Sequence, residues 1–207
     1  MKYKAVGFDY GGVIGGLALD GSDFVAEVAA ILGVKKEDIA EDYLGLNSKI
    51  NCGELKTWHE FWHLFLEHLN RLDALEPVTQ LSNDFTKRLN VVDVQMLQLV
   101  DKLKDSGLKV GLLSNTSIER GEEMRELKID THFDAFLISA EIKMMKPNSE
   151  SFTHLANQLG VKTNELVFVD DSKHSLSRSK ESGFKPILFK NHDQLVEELR
   201  QLGIINT

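Results

Sequence analysis

The sequence has few of the features that mark secreted or membrane-bound proteins. Cys52 is the one cysteine among 207 residues, so no internal disulfide can form, and a reducing compartment is indicated. We interpret it as a half-buried apolar side chain rather than a catalytic thiol. No stretch approaches 18 consecutive apolar residues, so no membrane-spanning helix is predicted. The chain enters a strand-like run directly, without an apolar signal region, and we therefore expect a cytoplasmic protein.

Long runs of one charge, internal repeats and low-complexity segments are also missing. The 32 acidic and 24 basic residues give a net charge of −8, and the two signs alternate along the chain. This pattern argues against a nucleic-acid-binding surface. The apolar share of 42% is ordinary for a globular protein, and the length suits one large domain or a core with one inserted subdomain.

Five short apolar runs predict buried strands at residues 4–8, 109–113, 135–139, 166–169 and 186–189. Three segments between or after them place apolar residues on one helical face, around 92–103, 152–159 and 195–199. Strands that alternate with helices predict an α/β fold with a doubly wound, Rossmann-like parallel sheet.

Residues 17–90 interrupt this alternation. They contain no clear strand and show four helical patterns, near 22–33, 36–48, 57–70 and 78–89. The third begins with Thr57 and Glu60, which form a capping-box pattern. We predict an all-helical cap at 17–90, inserted into a core of residues 1–16 and 91–207, above the sheet edge where open α/β sheets bind ligands.

Four polar sites follow the predicted strands or their connections. They are Asp9 in FDYGGVI, Ser114 and Asn115 in LLSNTS, Lys146 in MMKPNSESF, and Asp170 and Asp171 in VFVDDS. Each alone has an ordinary explanation as a turn, a helix cap or a surface residue. Their order after successive strands is much more specific and predicts an active site.

These motifs resemble the four motifs of the haloacid-dehalogenase-like superfamily. The resemblance covers nearly the whole chain and is strongest to a subgroup with an FDxGGV or FDxGNV first motif, which includes bacterial phosphatases acting on glucose 1-phosphate. It implies a five-stranded sheet in the order 5-4-1-2-3 and a magnesium-dependent phosphatase for a small phosphorylated metabolite such as a sugar phosphate. In this family, Asp9 would be the nucleophile that forms an aspartyl-phosphate.

The same resemblance assigns roles to the other residues. Mg²⁺ would be held by Asp9, Asp171 and the backbone carbonyl of Gly11, with Asp170 orienting its waters. The phosphoryl oxygens would be bound by Ser114 and the amides around Asn115, and Lys146 would add positive charge.

The sequence departs from the family at Gly11, where most of its phosphatases have a general acid. Ser175 and Lys143 also differ from the residues frequent at their positions. Two alternatives therefore remain: a 2-haloacid dehalogenase, which needs no metal, and a catalytically weak protein that binds a phosphorylated ligand or partner. A phosphomutase is less favoured because it too needs the missing acid. His59 and His63 have the spacing of zinc ligands, but a polar helix face explains them better.

Overall fold

Five parallel strands form the centre of the molecule. The computed structural model describes residues 2–16 and 23–205. The strands are β1 (Ala5–Phe8), β2 (Lys109–Ser114), β3 (Ala135–Ile138), β4 (Leu166–Asp170) and β5 (Lys185–Leu188). Their order is β3-β2-β1-β4-β5, with every neighbouring pair parallel. This confirms the predicted sheet and its strand order.

Between residues 23 and 90, four helices follow β1. They are α1 (Phe24–Leu32), α2 (Lys36–Asn51), α3 (Trp58–His68) and α4 (Leu75–Leu89), with a 3₁₀ turn at Leu72–Ala74. No residue from 23 to 90 lies in a strand. Their apolar faces meet in a cluster of their own that includes Ile39, Phe61, Trp62 and Phe65. We call α1–α4 the cap helices; the exact division of the chain into two domains stays a prediction.

Six further helices follow in residues 91–205, the remainder of the described chain. They are α5 (Val94–Asp105), α6 (Ile118–Glu126), the short α7 (Ser139–Ile142), α8 (Ser149–Gln158), the short α9 (Ser179–Ser182) and α10 (His192–Gln201). Alternate strand residues point to opposite faces. One face packs with α5, α6 and α10, and the other packs with α8. Helices therefore bury both faces, as a doubly wound sheet requires.

Two predicted details of the helices are corrected. Helix α4 begins before Pro77 rather than after it, because a proline in the first helical turn lacks only an N–H that has no partner there anyway. At α3, the Oγ1 of Thr57 accepts from the N–H of Glu60 as predicted, at 3.1 Å. The carboxylate of Glu60, however, accepts from the N–H of Lys56 at 2.9 Å, one residue before the predicted partner.

Within residues 2–16 and 23–205, no helix combines the length and the apolar character needed to cross a membrane.

Candidate active site

Three carboxylates meet at the carboxyl ends of β1 and β4. Phe8 pairs with Val169 across these strands, so Asp9 and Asp170 follow side by side, and the N–H of Asp9 donates to the Val169 carbonyl at 2.9 Å. Asp171 comes directly after β4. One carboxylate oxygen from each of Asp9, Asp170 and Asp171 lies within 4.8 Å of the others. The predicted cluster is thus formed, at the edge where parallel sheets bind ligands.

Lys146 bridges two of these carboxylates from the connection between β3 and α8. Its Nζ lies 2.8 Å from Oδ1 of Asp9 and 2.6 Å from Oδ2 of Asp170. The lysine side chain is only 1% exposed, and that of Asp170 is fully buried. The other oxygen of Asp170 accepts from the N–H of Ser172 at 2.8 Å. Both oxygens of Asp170 are therefore engaged by the protein, and this residue anchors the ammonium group of Lys146.

The cluster carries an excess of negative charge. Three carboxylates and one ammonium leave two negative charges when all are ionised. Burial raises the pKa of Asp9 from 3.8 to about 6, against the opposing effect of Lys146, and Asp170 raises it further. Partial burial of the Asp171 carboxylate also raises its pKa, and the negative charge of Asp170 adds to this effect. A divalent cation would balance this charge, since hard cations prefer carboxylate oxygens.

Gly12 provides the space in which the Asp171 carboxylate lies. A Cβ atom on Gly12 would be 2.1 Å from Oδ2 of Asp171, well inside van der Waals contact. Gly12 also has a φ of +70°, which a residue with a side chain rarely adopts. Gly11 differs on both counts, because its φ lies outside the left-handed region and its Cβ position has no atom within 4 Å.

Asn115 connects β2 to the lysine. Its amide group donates to the carbonyl of Lys146 at 2.8 Å and accepts from the N–H of the same residue at 2.9 Å. These two bonds fix the backbone from which the lysine side chain extends towards Asp9. Ser114 ends β2 and is buried, one residue before Asn115. Its hydroxyl has no hydrogen-bond partner among the described residues.

The structure thus brings Asp9, Lys146, Asp170 and Asp171 together. Sequence reasoning missed the side-chain role of Asn115 and the close approach of Gly12 to Asp171; the second glycine of FDYGGV was the available signal for the latter. The described residues place neither His59 nor His63 in a group of three candidate metal ligands. Cys52 is half-buried, as expected. Lys143 has a φ of +57°, the left-handed conformation that explains why glycine is frequent at its position.

A parallel α/β sheet, an acidic cluster at its carboxyl edge and a block of helices after the first strand define a class of hydrolase. The family model for haloacid dehalogenase-like hydrolases matches residues 26–189. The chain therefore belongs to that family.

Relatives and solved structures agree with this assignment. The chain is 29% identical over 112 residues to bifunctional epoxide hydrolase 2 of Mus musculus, covering 52% of this chain and 20% of that protein. It is 28% identical over 111 residues to a sesquiterpene phosphatase of Aspergillus oryzae, covering 53% and 57% of the two chains. The chain thus spans less than two thirds of either relative. A magnesium complex of an enzyme of this family from Bacteroides thetaiotaomicron has the same fold, with a TM-score of 0.76, 24% identity and coverage of 97% and 100%.

Proposed function

We propose that the protein is a magnesium-dependent phosphatase that hydrolyses a small phosphorylated metabolite through an aspartyl-phosphate on Asp9. The observation that carries this proposal is the acidic cluster with its buried lysine. A net charge of two negative units on a cluster that includes the candidate nucleophile suits a metal-assisted reaction, and it would repel an anionic substrate without the metal. The similarity to the sesquiterpene phosphatase of Aspergillus oryzae supports the same reaction. We also place the chain in the subgroup that resembles the glucose 1-phosphate phosphatases.

The residues present fit a magnesium ion. Asp9 and Asp171 offer carboxylate oxygens, and Gly12 leaves room for the Asp171 carboxylate at this position. The family resemblance adds the backbone carbonyl of Gly11 to these ligands. When bound, Mg²⁺ would neutralise charge on the carboxylates and on the phosphoryl oxygens. Asp170 would take part through Lys146 and through ordered water rather than as a direct ligand, since both of its oxygens already accept hydrogen bonds.

Each residue of the site has its own role in the proposed reaction. A carboxylate oxygen of Asp9 forms a bond to phosphorus, while the bond from phosphorus to the leaving oxygen breaks and its electron pair stays on that oxygen. Lys146 orients Asp9 through the contact of 2.8 Å and contributes positive charge to the transferring group. Ser114 and the backbone amides around Asn115 bind the phosphoryl oxygens. Water then hydrolyses the aspartyl-phosphate and regenerates the carboxylate.

Turnover of p-nitrophenyl phosphate tests this proposal. We expect hydrolysis that requires MgCl₂, stops in excess EDTA and returns when magnesium is restored. Asp9→Asn is expected to abolish turnover, because an amide cannot form the acyl-phosphate, whereas Asp105→Asn at an exposed position keeps it. Circular dichroism of both variants controls for folding.

A parallel assay of halide release distinguishes the phosphatase proposal from the dehalogenase alternative. Halide release from 2-chloropropionate in excess EDTA, without phosphatase activity, would overturn the proposal in favour of attack on carbon. Full p-nitrophenyl phosphate turnover in EDTA would disprove the magnesium requirement.

A further inference from the structure

An open groove of about 320 Å³ lies between α2 and α3 of the cap helices, and no residue of the candidate active site lines it. Leu46 and Phe65 form its apolar part, and Leu64 in its wall is 40% exposed. Leu44, on the neighbouring surface of α2, is 62% exposed. Folding of one chain therefore leaves apolar surface on this face, and its burial in an interface would be favourable.

Gly45 lies in the interior of α2 and lines the groove. Glycine destabilises the interior of a helix relative to alanine. Neither a turn nor close packing within the chain explains it, because Gly45 has no positive φ and its Cβ position has no atom within 4 Å. The missing side chain leaves a flat place on the helix surface. A second helix can approach closely there, since the side chains at a contact set the distance between packed helices.

Opposite charges lie at equal distances from Gly45. Glu41 precedes it by four residues and Lys49 follows it by four, and both are exposed side chains that line the groove. Among residues 2–16 and 23–205, neither side chain has an ion-pair partner. They are separated by about 12 Å along the helix, too far to pair with each other. Asp42 and His68, the other titratable residues of the groove, contact each other at 3.5 Å.

This pattern is complementary to an antiparallel copy of itself. A two-fold rotation that brings Gly45 against Gly45 of a second chain places Glu41 of each chain opposite Lys49 of the other. A parallel copy would instead place like charges opposite each other, which is unfavourable. Antiparallel α2 helices also oppose their macrodipoles favourably. The face thus matches a second copy of this chain in one orientation.

We propose that the groove between α2 and α3 is a two-fold interface between two copies of this chain, with the α2 helices antiparallel and Gly45 at the axis. The exposed side chains of Leu44 and Leu64 are covered in this interface, and two ion pairs between Glu41 and Lys49 fix its register. The proposal does not depend on the phosphatase function.

Sedimentation equilibrium of the full chain tests the interface. The wild type should have twice the chain mass of 23.3 kDa at micromolar protein concentrations. Lys49→Glu and Glu41→Lys each place two like-charged pairs in the interface and should raise the dimer dissociation constant by about tenfold or more. The double variant Glu41→Lys/Lys49→Glu reverses both pairs and should return this constant to within about threefold of the wild type. Lys102→Glu makes the same charge change on an exposed part of α5 and should have no effect.

A cross-linking experiment tests the position of the axis and does not need the charge variants to fold. Gly45→Cys in a Cys52→Ser background should form a disulfide between two chains when oxidised with copper phenanthroline, because the axis brings the two thiols together. Asn83→Cys, at an exposed position of α4 in the same background, should stay unlinked.

Four results would overturn the proposal. A monomeric wild type would leave the groove to a different protein. Dimer dissociation that ignores both single charge reversals would place the interface elsewhere. A folded double variant that is as weak as the single variants would contradict the antiparallel pairing, and so would equal cross-linking at Gly45 and Asn83. Circular dichroism establishes that each variant is folded.

Discussion

Asp171 can approach Asp9 because residue 12 is glycine. A methyl group at that position would overlap the Asp171 carboxylate, and the positive φ would add backbone strain. The two effects can be separated experimentally, since Gly33 has a similar φ of +68° but no atom within 4 Å of its Cβ position.

We expect Gly12→Ala to raise the magnesium concentration needed for half-maximal phosphatase activity by at least tenfold, because Asp171 must move away from the site. Gly33→Ala should lower the free energy of unfolding by about 1–2 kcal/mol through backbone strain alone, with the magnesium requirement unchanged. A magnesium titration of activity and a urea denaturation curve for each variant measure both effects. An unchanged magnesium midpoint in Gly12→Ala would contradict the assignment of Asp171 as a ligand.

Gly11 is the position at which a general acid is expected and missing. Without a proton donor there, kcat/KM should fall steeply from aryl and anomeric phosphates to simple alkyl phosphates, whose leaving oxygens are more basic. The space around Gly11 and its ordinary backbone conformation permit a side chain. Gly11→Asp should therefore narrow this gap, and general acid catalysis of this kind contributes about 10²–10⁴-fold.

A rate series over phosphate esters of graded leaving-group acidity measures the slope for both proteins. Gly45→Asp adds the same charge at an open position on α2 and should leave the slope unchanged. A flat series for the wild type would show that another group already supplies the proton.

The convergence of Asp9, Asp170 and Asp171 could be predicted because the carboxyl ends of parallel strands meet at one edge. Whether these side chains meet depends on the register of the paired strands. A run of buried residues that ends at an aspartate indicates that register. The two hydrogen bonds between the Asn115 amide and the Lys146 backbone, one donated and one accepted by Asn115, could not be predicted in this way. They depend on the path of the connection after β3, which no periodicity records.

Some helices could be predicted from apolar periodicity and others could not. Helix α5 was predicted because Met96, Leu99, Val100 and Leu103 form a regular apolar face. Helix α6 was not predicted, because its buried face consists of Arg120, Gly121 and Met124. A search for apolar periodicity does not count a buried arginine that has a carboxylate partner, although this side chain packs in the interior as an apolar residue does.

The first turn of α3 depends on a residue of the core. The N–H of Trp58 donates to Oε2 of Glu119 on α6 at 2.6 Å, so a carboxylate from the core caps a cap helix. Glu119→Ala should lower the free energy of unfolding by about 1–2 kcal/mol, as for the loss of a helix cap. Glu122→Ala on the same helix removes an exposed carboxylate that caps nothing and should cost less than about 0.5 kcal/mol. Equal losses in urea denaturation would show that the cap bond contributes nothing.

The cap helices and the sheet have separate apolar cores. Two clusters flank the sheet, and a third lies among α1–α4. Polar contacts connect these bodies, among them the hydrogen bond of 2.6 Å from Ser139 to the Asn51 carbonyl. Specific hydrogen bonds therefore help to hold the cap helices against the rest of the chain. A pattern of apolar residues predicts each core separately, but it does not predict bonds between them.

We expect folding, protonation and magnesium binding to be linked through the acidic cluster. The pKa of Asp9 in the folded chain is about 6, above the ordinary value of 3.8, so the folded state binds a proton more tightly than the unfolded state. Without metal, the stability that Asp9 contributes is complete below about pH 4 and is lost as the pH rises through 6. This direction follows from the linkage between proton binding and folding.

Magnesium should reverse that loss, because it replaces the proton as the positive partner of the ionised carboxylate. We therefore expect an excess of MgCl₂ to raise the Tm more at about pH 7.5 than at about pH 5, where the proton competes for Asp9. Asp9→Asn removes the titrating group and should lose most of the magnesium effect at both pH values, whereas Asp105→Asn should behave as the wild type. Thermal unfolding with MgCl₂ and with EDTA at the two pH values provides the measurement. A rise in Tm of equal size at both would mean that magnesium binds the folded chain without displacing a proton from Asp9, and the ligand assignment would then have to exclude that residue.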